Sequence, residues 1–191
     1  MYQIYFKRLF DIIFSIILII SLSPIMIFIF FFVWITIGYP IFKQNRPGLN
    51  EEIFTLYKFK TLYDSKNDIS EENRQNKVGN FLRKTGLDEL PQLFNILTNK
   101  MSFVGPRPLL VEYLTKYSLN EKKRHSVKPG ITGLAQINPD PSGVKSWNKS
   151  IQLDIYYTKN VCFYLDIKII LKTIGVILLK KKQYNDFKKF K

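Results

Sequence analysis

The densest run of reactive side chains is Leu82-Arg-Lys-Thr-Gly-Leu-Asp-Glu-Leu-Pro-Gln92. Asp88 and Glu89 are adjacent, just ahead of Pro91, with Arg83 and Lys84 close by. Proline is favoured in the first turn of a helix, so both carboxylates are expected at a helix start. Two roles fit acids there. They can cap free N–H groups and meet the positive end of the helix dipole. Alternatively, the pair holds Mg²⁺ while one of them attacks a phosphorus atom and forms an acyl phosphate. The metal would offset the phosphate charge that otherwise repels a carboxylate. On this run alone the structural role is favoured, because acids are common at helix starts.

Three further stretches carry groups suited to phosphate. Met101-Ser-Phe-Val-Gly-Pro-Arg-Pro108 places Arg107 between two prolines, which restrict the backbone and can aim its guanidinium. Val127-Lys-Pro-Gly-Ile-Thr-Gly-Leu-Ala-Gln-Ile-Asn138 is a loop whose glycines permit close backbone approach. Tyr57-Lys-Phe-Lys-Thr61 offers Lys58 either as an anion contact or as decoration of a strand. Of the 29 basic residues only six are arginine: Arg8, Arg46, Arg74, Arg83, Arg107 and Arg124. Each is informative in a lysine-biased chain, because the guanidinium fork grips phosphate or carboxylate in a way lysine cannot. Cys162 and His125 are the only residues of their kinds. That makes a zinc site or a Cys-His nucleophile pair a poor fit and leaves hard, carboxylate-held cations as the better one. It also rules out an intrachain disulfide and fits a reducing compartment.

These residues need elements to hold them. Residues 41–46 and 53–59 read as short strands, with Pro47-Gly48-Leu49-Asn50 turning between them as a β-hairpin. Residues 64–77 are polar and read as a solvated loop or short helix. Residues 78–99 carry Leu82, Leu87, Leu90, Leu93, Phe94 and Leu97 at spacing that mostly fits one helical face. Ser102–Pro108 reads as a loop, and Leu109–His125 as a helix ended by Lys128-Pro129-Gly130. A second loop covers 138–143, and one or two helices cover 147–182. The fold class is therefore α+β and mostly helical. The final helix is apolar on most sides with lysines at its margins. That suits either a membrane interface or a core helix with a solvated tail.

Residues 12–42 contain no charge. The run exceeds the roughly 20 apolar residues a membrane helix needs and is too long for a signal-peptide core. Ser23-Pro24 lies in its middle, where proline removes a backbone donor and kinks or breaks a helix. Lys7 and Arg8 precede it, and Lys43 and Arg46 follow it, so the positive-inside rule keeps both flanks on one side. A re-entrant helix-break-helix satisfies both flanks, whereas a span satisfies one. The expected organisation is a re-entrant anchor over 1–40, a catalytic domain with interfacial helices over 41–182, and a basic tail over 183–191. The net charge of +14 admits anionic lipid, phosphorylated substrates or nucleic acid as partners.

In this order the motifs resemble the bacterial sugar transferase family, the monotopic phosphoglycosyl transferases that include PglC-type enzymes. The resemblance runs from Lys7-Arg8-Leu-Phe-Asp11 through Asn45-Arg-Pro-Gly48, Tyr57-Lys-Phe-Lys60, Leu87-Asp-Glu-Leu-Pro-Gln-Leu93, Ser102-Phe-Val-Gly-Pro-Arg-Pro108 and Pro129-Gly-Ile-Thr-Gly133 to Leu153-Asp-Ile-Tyr-Tyr157. It shifts the reading of Asp88-Glu89 from structural to functional. What it implies is transfer of a sugar 1-phosphate from a UDP-sugar to a polyprenyl (undecaprenyl) phosphate, with release of UMP. Asp88 would be the nucleophile and Glu89 would hold Mg²⁺ beside it. Arg107 would contact phosphate, and Lys58 and Arg83 would serve the same site. Ser23-Pro24 would break the re-entrant helix. The implied location is the cytoplasmic face of a bacterial inner membrane. The implied partners are membrane lipid and downstream glycosyltransferases, with no nucleic acid.

The chain departs from the family pattern after Gln136-Ile-Asn138. There the family continues with Gly-Arg-Asn, and this chain has Pro139-Asp-Pro-Ser-Gly143, with Lys145 nearby. The loop from Asp64 to Asn76 is also short. Two rival readings remain. One is a non-catalytic membrane-surface protein whose basic face binds anionic lipid or nucleic acid. The other is a family member that has lost activity.

Overall fold

The computed structural model describes residues 2–64, 74–138 and 146–178. The altered loop at 139–143, Lys145, residues 179–182 and the basic tail lie outside these, as does most of the 64–76 loop.

After a π-helical turn over Tyr2–Phe6, helix α1 runs unbroken over Lys7–Thr36. The expected break at Ser23-Pro24 is thus a proline inside one continuous helix. Local chemistry explains why the helix tolerates it. Pro24 has no N–H for the carbonyl of Ile20, and the Ser23 hydroxyl donates to that carbonyl at 2.8 Å. The orphaned acceptor is satisfied one residue early, so the ladder continues.

Most of α1 is apolar and exposed, including Ile20, Phe28, Trp34 and Ile35. It is the one helix among the described residues long and apolar enough to cross a membrane. One narrow face is buried at both ends, at Lys7, Asp11 and Ser15 and again at Ile29 and Val33. At the start, both Nη atoms of Arg8 donate to the carbonyls of Ile96 and Leu97, at 2.7 and 2.9 Å. Asp11 Oδ1 accepts from the Ser102 hydroxyl and the Phe103 N–H, both at 3.1 Å. Lys7 Nζ meets Asp166 at 2.5 Å and Tyr157 Oη at 3.1 Å. At the far end, Ile29, Val33 and Ile37 bury against Phe59 and Leu82. One globular body therefore holds both ends of the apolar helix.

Strands β1 (Ile41–Pro47) and β2 (Ile53–Phe59) pair antiparallel, with Gln44 opposite Leu56. This is the expected hairpin, closed by a 3₁₀ turn over Leu49–Glu51. Residues 78–99 are not one helix. Helix α2 (Lys77–Thr85) begins at Asn76, whose side chain accepts from the Gly79 N–H at 2.7 Å. It ends at Gly86, which adopts φ 71°, the left-handed cap that stops a helix. A 3₁₀ turn over Leu87–Glu89 follows, then helix α3 (Gln92–Leu97). Leu82 and Leu93 are buried as the spacing predicts, but Phe94 is exposed, and the Gly86 cap and Pro91 divide the run.

The two expected loops also contain short strands. β3 (Ser102–Val104) and β4 (Gly130–Thr132) pair in parallel. Glycine makes this possible: a Cβ on Gly130 would lie 2.1 Å from the Gly105 nitrogen. Between them, Leu109–His125 forms two 3₁₀ segments, Val111–Lys116 and Glu121–Ser126, rather than a helix. The break falls at Ser118, whose N–H and hydroxyl both bind the Glu121 carboxylate and impose a turn. Helix α4 (Leu134–Ile137) leads to α5 (Trp147–Lys159) and α6 (Phe163–Leu178). On α6, Ile169 is fully buried while Phe163, Tyr164, Leu171 and Ile174 are exposed, so its apolar surface faces both ways.

Candidate active site

Four elements bring the expected site residues together. The 3₁₀ turn over Leu87–Glu89 presents the two acids, β2 presents Lys58, α2 presents Arg83, and the loop after β3 presents Arg107. Gly86 is what aims the acids. By ending α2 in the left-handed region it turns the chain so that Asp88 points inward and is 8% exposed. Helix α3 receives no side-chain cap from either acid, so their presence is not explained by helix capping.

Glu89 Oε1 accepts from Lys58 Nζ at 2.7 Å and from Arg107 Nη2 at 3.2 Å. Burial alone would raise the Glu89 pKa, but Arg107 and Lys58 outweigh it and hold the carboxyl down at about 2. Asp88 moves the other way. Burial pushes it up to about 6, Lys58 draws it partly back, and the Glu89 charge adds to the rise. Asp88 accepts no hydrogen bond among the described residues. At neutral pH one acid is therefore locked as an anion by two cations, and its neighbour is an anion held against its environment. Arg83 stands farther out, with Nε donating to Thr61 Oγ1 at 2.8 Å, and its charge acts on Asp88. All five expected residues thus belong to one electrostatic group, with Arg83 at its edge.

The donor set suits Mg²⁺. This ion takes one or two carboxylates and completes its octahedron with water and substrate phosphate oxygens. Asp88 and Glu89 supply hard oxygens on adjacent residues. Among the described residues no cluster of three or more His, Cys, Asp or Glu side chains forms an all-protein metal cage.

Sequence reasoning passes over two contributors. Arg46, on β1, lies beside Arg107, and its Nη1 donates to the Pro108 carbonyl at 3.4 Å. Burial, and then Arg107, lower its pKa to about 10, so two guanidiniums crowd one place. The scarcity of arginine is the available signal. The other contributor is the Lys7-Arg8-Asp11 strip, which the sequence offers as a flank at Lys7 and Arg8 and as a family motif, with no role at the site. It seats α1 on α3, β3 and α6, and so fixes the anchor relative to the site. Beside the site, α1, β2 and the start of α3 border an open apolar pocket of about 490 Å³, lined by Ile19, Met26, Phe30, Tyr57, Phe59 and Pro91 among others.

Comparison with known proteins gives the family. The profile of the family described as Bacterial sugar transferase matches residues 2–180. The uncharacterized sugar transferase EpsL of Bacillus subtilis is 46% identical over 180 residues, covering 92% of this chain and 88% of EpsL. A UDP-glucose:undecaprenyl-phosphate glucose-1-phosphate transferase of Klebsiella pneumoniae is 41% identical over 192 residues, covering 94% of this chain and 41% of that protein. An undecaprenyl-phosphate galactose phosphotransferase of Salmonella typhimurium is 33% identical over 201 residues, covering 94% of this chain and 42% of that protein. The chain thus spans most of EpsL and about two-fifths of the two longer relatives. With residues 2–180 matched by its profile, this chain belongs to the bacterial sugar transferase family.

Proposed function

We propose that this chain transfers a sugar 1-phosphate from a UDP-sugar to undecaprenyl phosphate, releasing UMP, in two steps through Asp88. In the first, an Asp88 carboxylate oxygen attacks the sugar-bearing phosphorus. The bond from that phosphorus to the bridging oxygen breaks, and UMP leaves with the electron pair. In the second, an oxygen of the lipid phosphate attacks the same phosphorus. The Asp88–phosphorus bond breaks, the carboxylate is regenerated, and a sugar diphospho-lipid departs.

The observation that carries this reading is the opposed pair Asp88 and Glu89 between Lys58 and Arg107. The Asp88 charge is disfavoured where it sits, and forming a bond to phosphorus relieves it. Lys58 and Arg107 are placed to meet the phosphate charge as well as Glu89, with Arg83 as an outer contact. Mg²⁺, held by Glu89 and Asp88, would neutralise the donor diphosphate. The names of the relatives support the donor and acceptor classes.

The anchor reading belongs to the same proposal. A domain on one side of a membrane cannot hold both ends of a helix that crosses it. That Arg8 and Asp11 at one end, and Val33 and Ile37 at the other, pack on one body supports a helix that enters and leaves by the same face. Residues 1–40 would then be the re-entrant anchor and 41–182 the catalytic domain. The two basic flanks of the anchor put that domain on the cytoplasmic side of the inner membrane. The exposed aromatics and leucine of α6 suit an interfacial position, and the open apolar pocket beside β2 suits a hydrocarbon chain.

The test is direct. Purified protein, Mg²⁺ and undecaprenyl phosphate are incubated with a panel of UDP-sugars, and UMP is measured. Release with at least one donor, abolished in Asp88→Asn, is expected. Full activity in that variant would remove the nucleophile assignment.

A further inference from the structure

Arg124 lies in the 3₁₀ segment Glu121–Ser126 and is 1% exposed. Its Nε and Nη2 both donate to Asp154 Oδ2, at 3.1 and 2.6 Å, and its Nη1 donates to Tyr117 Oη at 3.2 Å. Nη2 also donates to the main-chain carbonyl of Arg107 at 2.7 Å. A fully buried guanidinium, oriented by a buried aspartate on α5, therefore ends on the main-chain carbonyl of Arg107, whose side chain reaches Glu89.

The loop it holds has few other handles. Pro106 and Pro108 lack N–H groups, so the loop is fixed mainly through its carbonyls. Gly130 N–H donates to the Pro106 carbonyl at 3.0 Å, Arg124 grips that of Arg107, and Arg46 reaches that of Pro108. At the loop's start Gly105 N–H donates to Thr132 at 2.9 Å. Buried ion pairs are often no more stabilising than well-packed apolar side chains, so the energy of this pair does not account for its presence. Its geometry does. The planar fork can bind a carboxylate and a carbonyl at fixed angles, which a lysine ammonium cannot reproduce.

We propose that Arg124, oriented by Asp154, is a positioning residue: it fixes the Arg107 peptide and so aims the Arg107 side chain at Glu89 and at the donor diphosphate. This rests on the phosphoglycosyl transfer proposed above. Misplacing a phosphate-binding group by about 1 Å is enough to cost about 10²-fold in rate.

A double-mutant cycle tests it, reading UMP release per folded protein for wild type, Arg107→Ala, Arg124→Lys and the pair. Arg107→Ala is expected to cost about 10²-fold in the wild-type background. It should cost under about 10-fold once Arg124→Lys has displaced the loop. A purely structural Arg124 would reduce the folded fraction and leave the cost of Arg107→Ala per folded protein unchanged. If Arg107→Ala costs the same fold in both backgrounds, the positioning role is wrong. Should Arg124→Lys fail to fold, Tyr117→Phe loosens the same guanidinium by one hydroxyl and is read in the same way, with a smaller coupling expected. A wild type that releases no UMP from any donor defeats the reaction and this role with it. An active wild type with an additive cycle defeats the role alone.

Discussion

Asp88 and Glu89 are neighbours in sequence, yet their surroundings move their pKa values in opposite directions, and this separates their effects on stability. A carboxyl raised by burial is cheaper to keep protonated. Asp88 therefore costs the fold stability as pH rises from its ordinary value near 4 through about 6. Asn at that position removes the cost. Asp88→Asn should stabilise the protein at pH 7.5 by up to about 3 kcal/mol, while lowering UMP release on the order of 10⁴-fold or more. Glu89 has the reverse sign. Its stabilisation is present above its ordinary pKa and is lost as pH falls towards 2. Glu89→Gln also leaves Lys58 and Arg107 without their carboxylate, so it should cost about 3 kcal/mol at pH 7.5. Melting in detergent would read the two variants, and shifts of the same sign would contradict the electrostatic account. The rate should carry the Asp88 value too. UMP release is expected to fall about tenfold per pH unit below about pH 6, when measured with Glu89 intact.

At the scale of elements, the site depends on how closely the strand pair β3–β4 packs into its own loops. A Cβ on Gly105 would meet the Lys128 carbonyl oxygen at 2.3 Å, a main-chain atom with no room to move. Gly105→Ala should push the Pro-Arg-Pro loop away from β4. It is expected to destabilise by about 2 kcal/mol or more and to lower activity beyond the loss of folded protein. Gly175 offers the contrast. It sits within α6, where an added Cβ would meet nothing within 4 Å, so Gly175→Ala should stabilise by about 0.5–1 kcal/mol and leave UMP release unchanged. Calorimetry of the two alanine variants reads opposite signs from the same chemical change.

For the whole molecule, the question is on which side of the membrane each end of α1 lies. In a Cys162→Ser background, Gln3→Cys and Glu52→Cys flank the apolar helix at exposed positions. Both should react with an impermeant maleimide from the cytoplasmic side only. Labelling from opposite faces would make α1 a span, and the contacts of Arg8 with α3 and of Val33 with the Phe59 cluster could not then coexist. The same contacts place the site close to the apolar helix α1, because Phe59, one residue from Lys58, packs on it.

Some of this was legible in the residues alone. The uncharged run 12–42 and the hairpin around Pro47-Gly48 follow from local rules: length of apolar sequence and strand patterning. The grouping of Asp88, Glu89, Lys58, Arg83 and Arg107 comes from the family resemblance, because local rules alone favour a helix-start role for the acids. The broken helices did not follow, because Gly86 and Ser118 act through one backbone angle or one side-chain hydrogen bond that periodicity averages away. Nor did β3 and β4 read as strands, since three-residue parallel pairs carry too few residues to show a pattern. Arg124 and Asp154 lie 30 positions apart and meet only in the fold. Sequence determined which groups the site contains. Tertiary structure decided that Asp88 is buried and raised while Glu89 is gripped and lowered, since burial and distance to charge are properties of the packed chain.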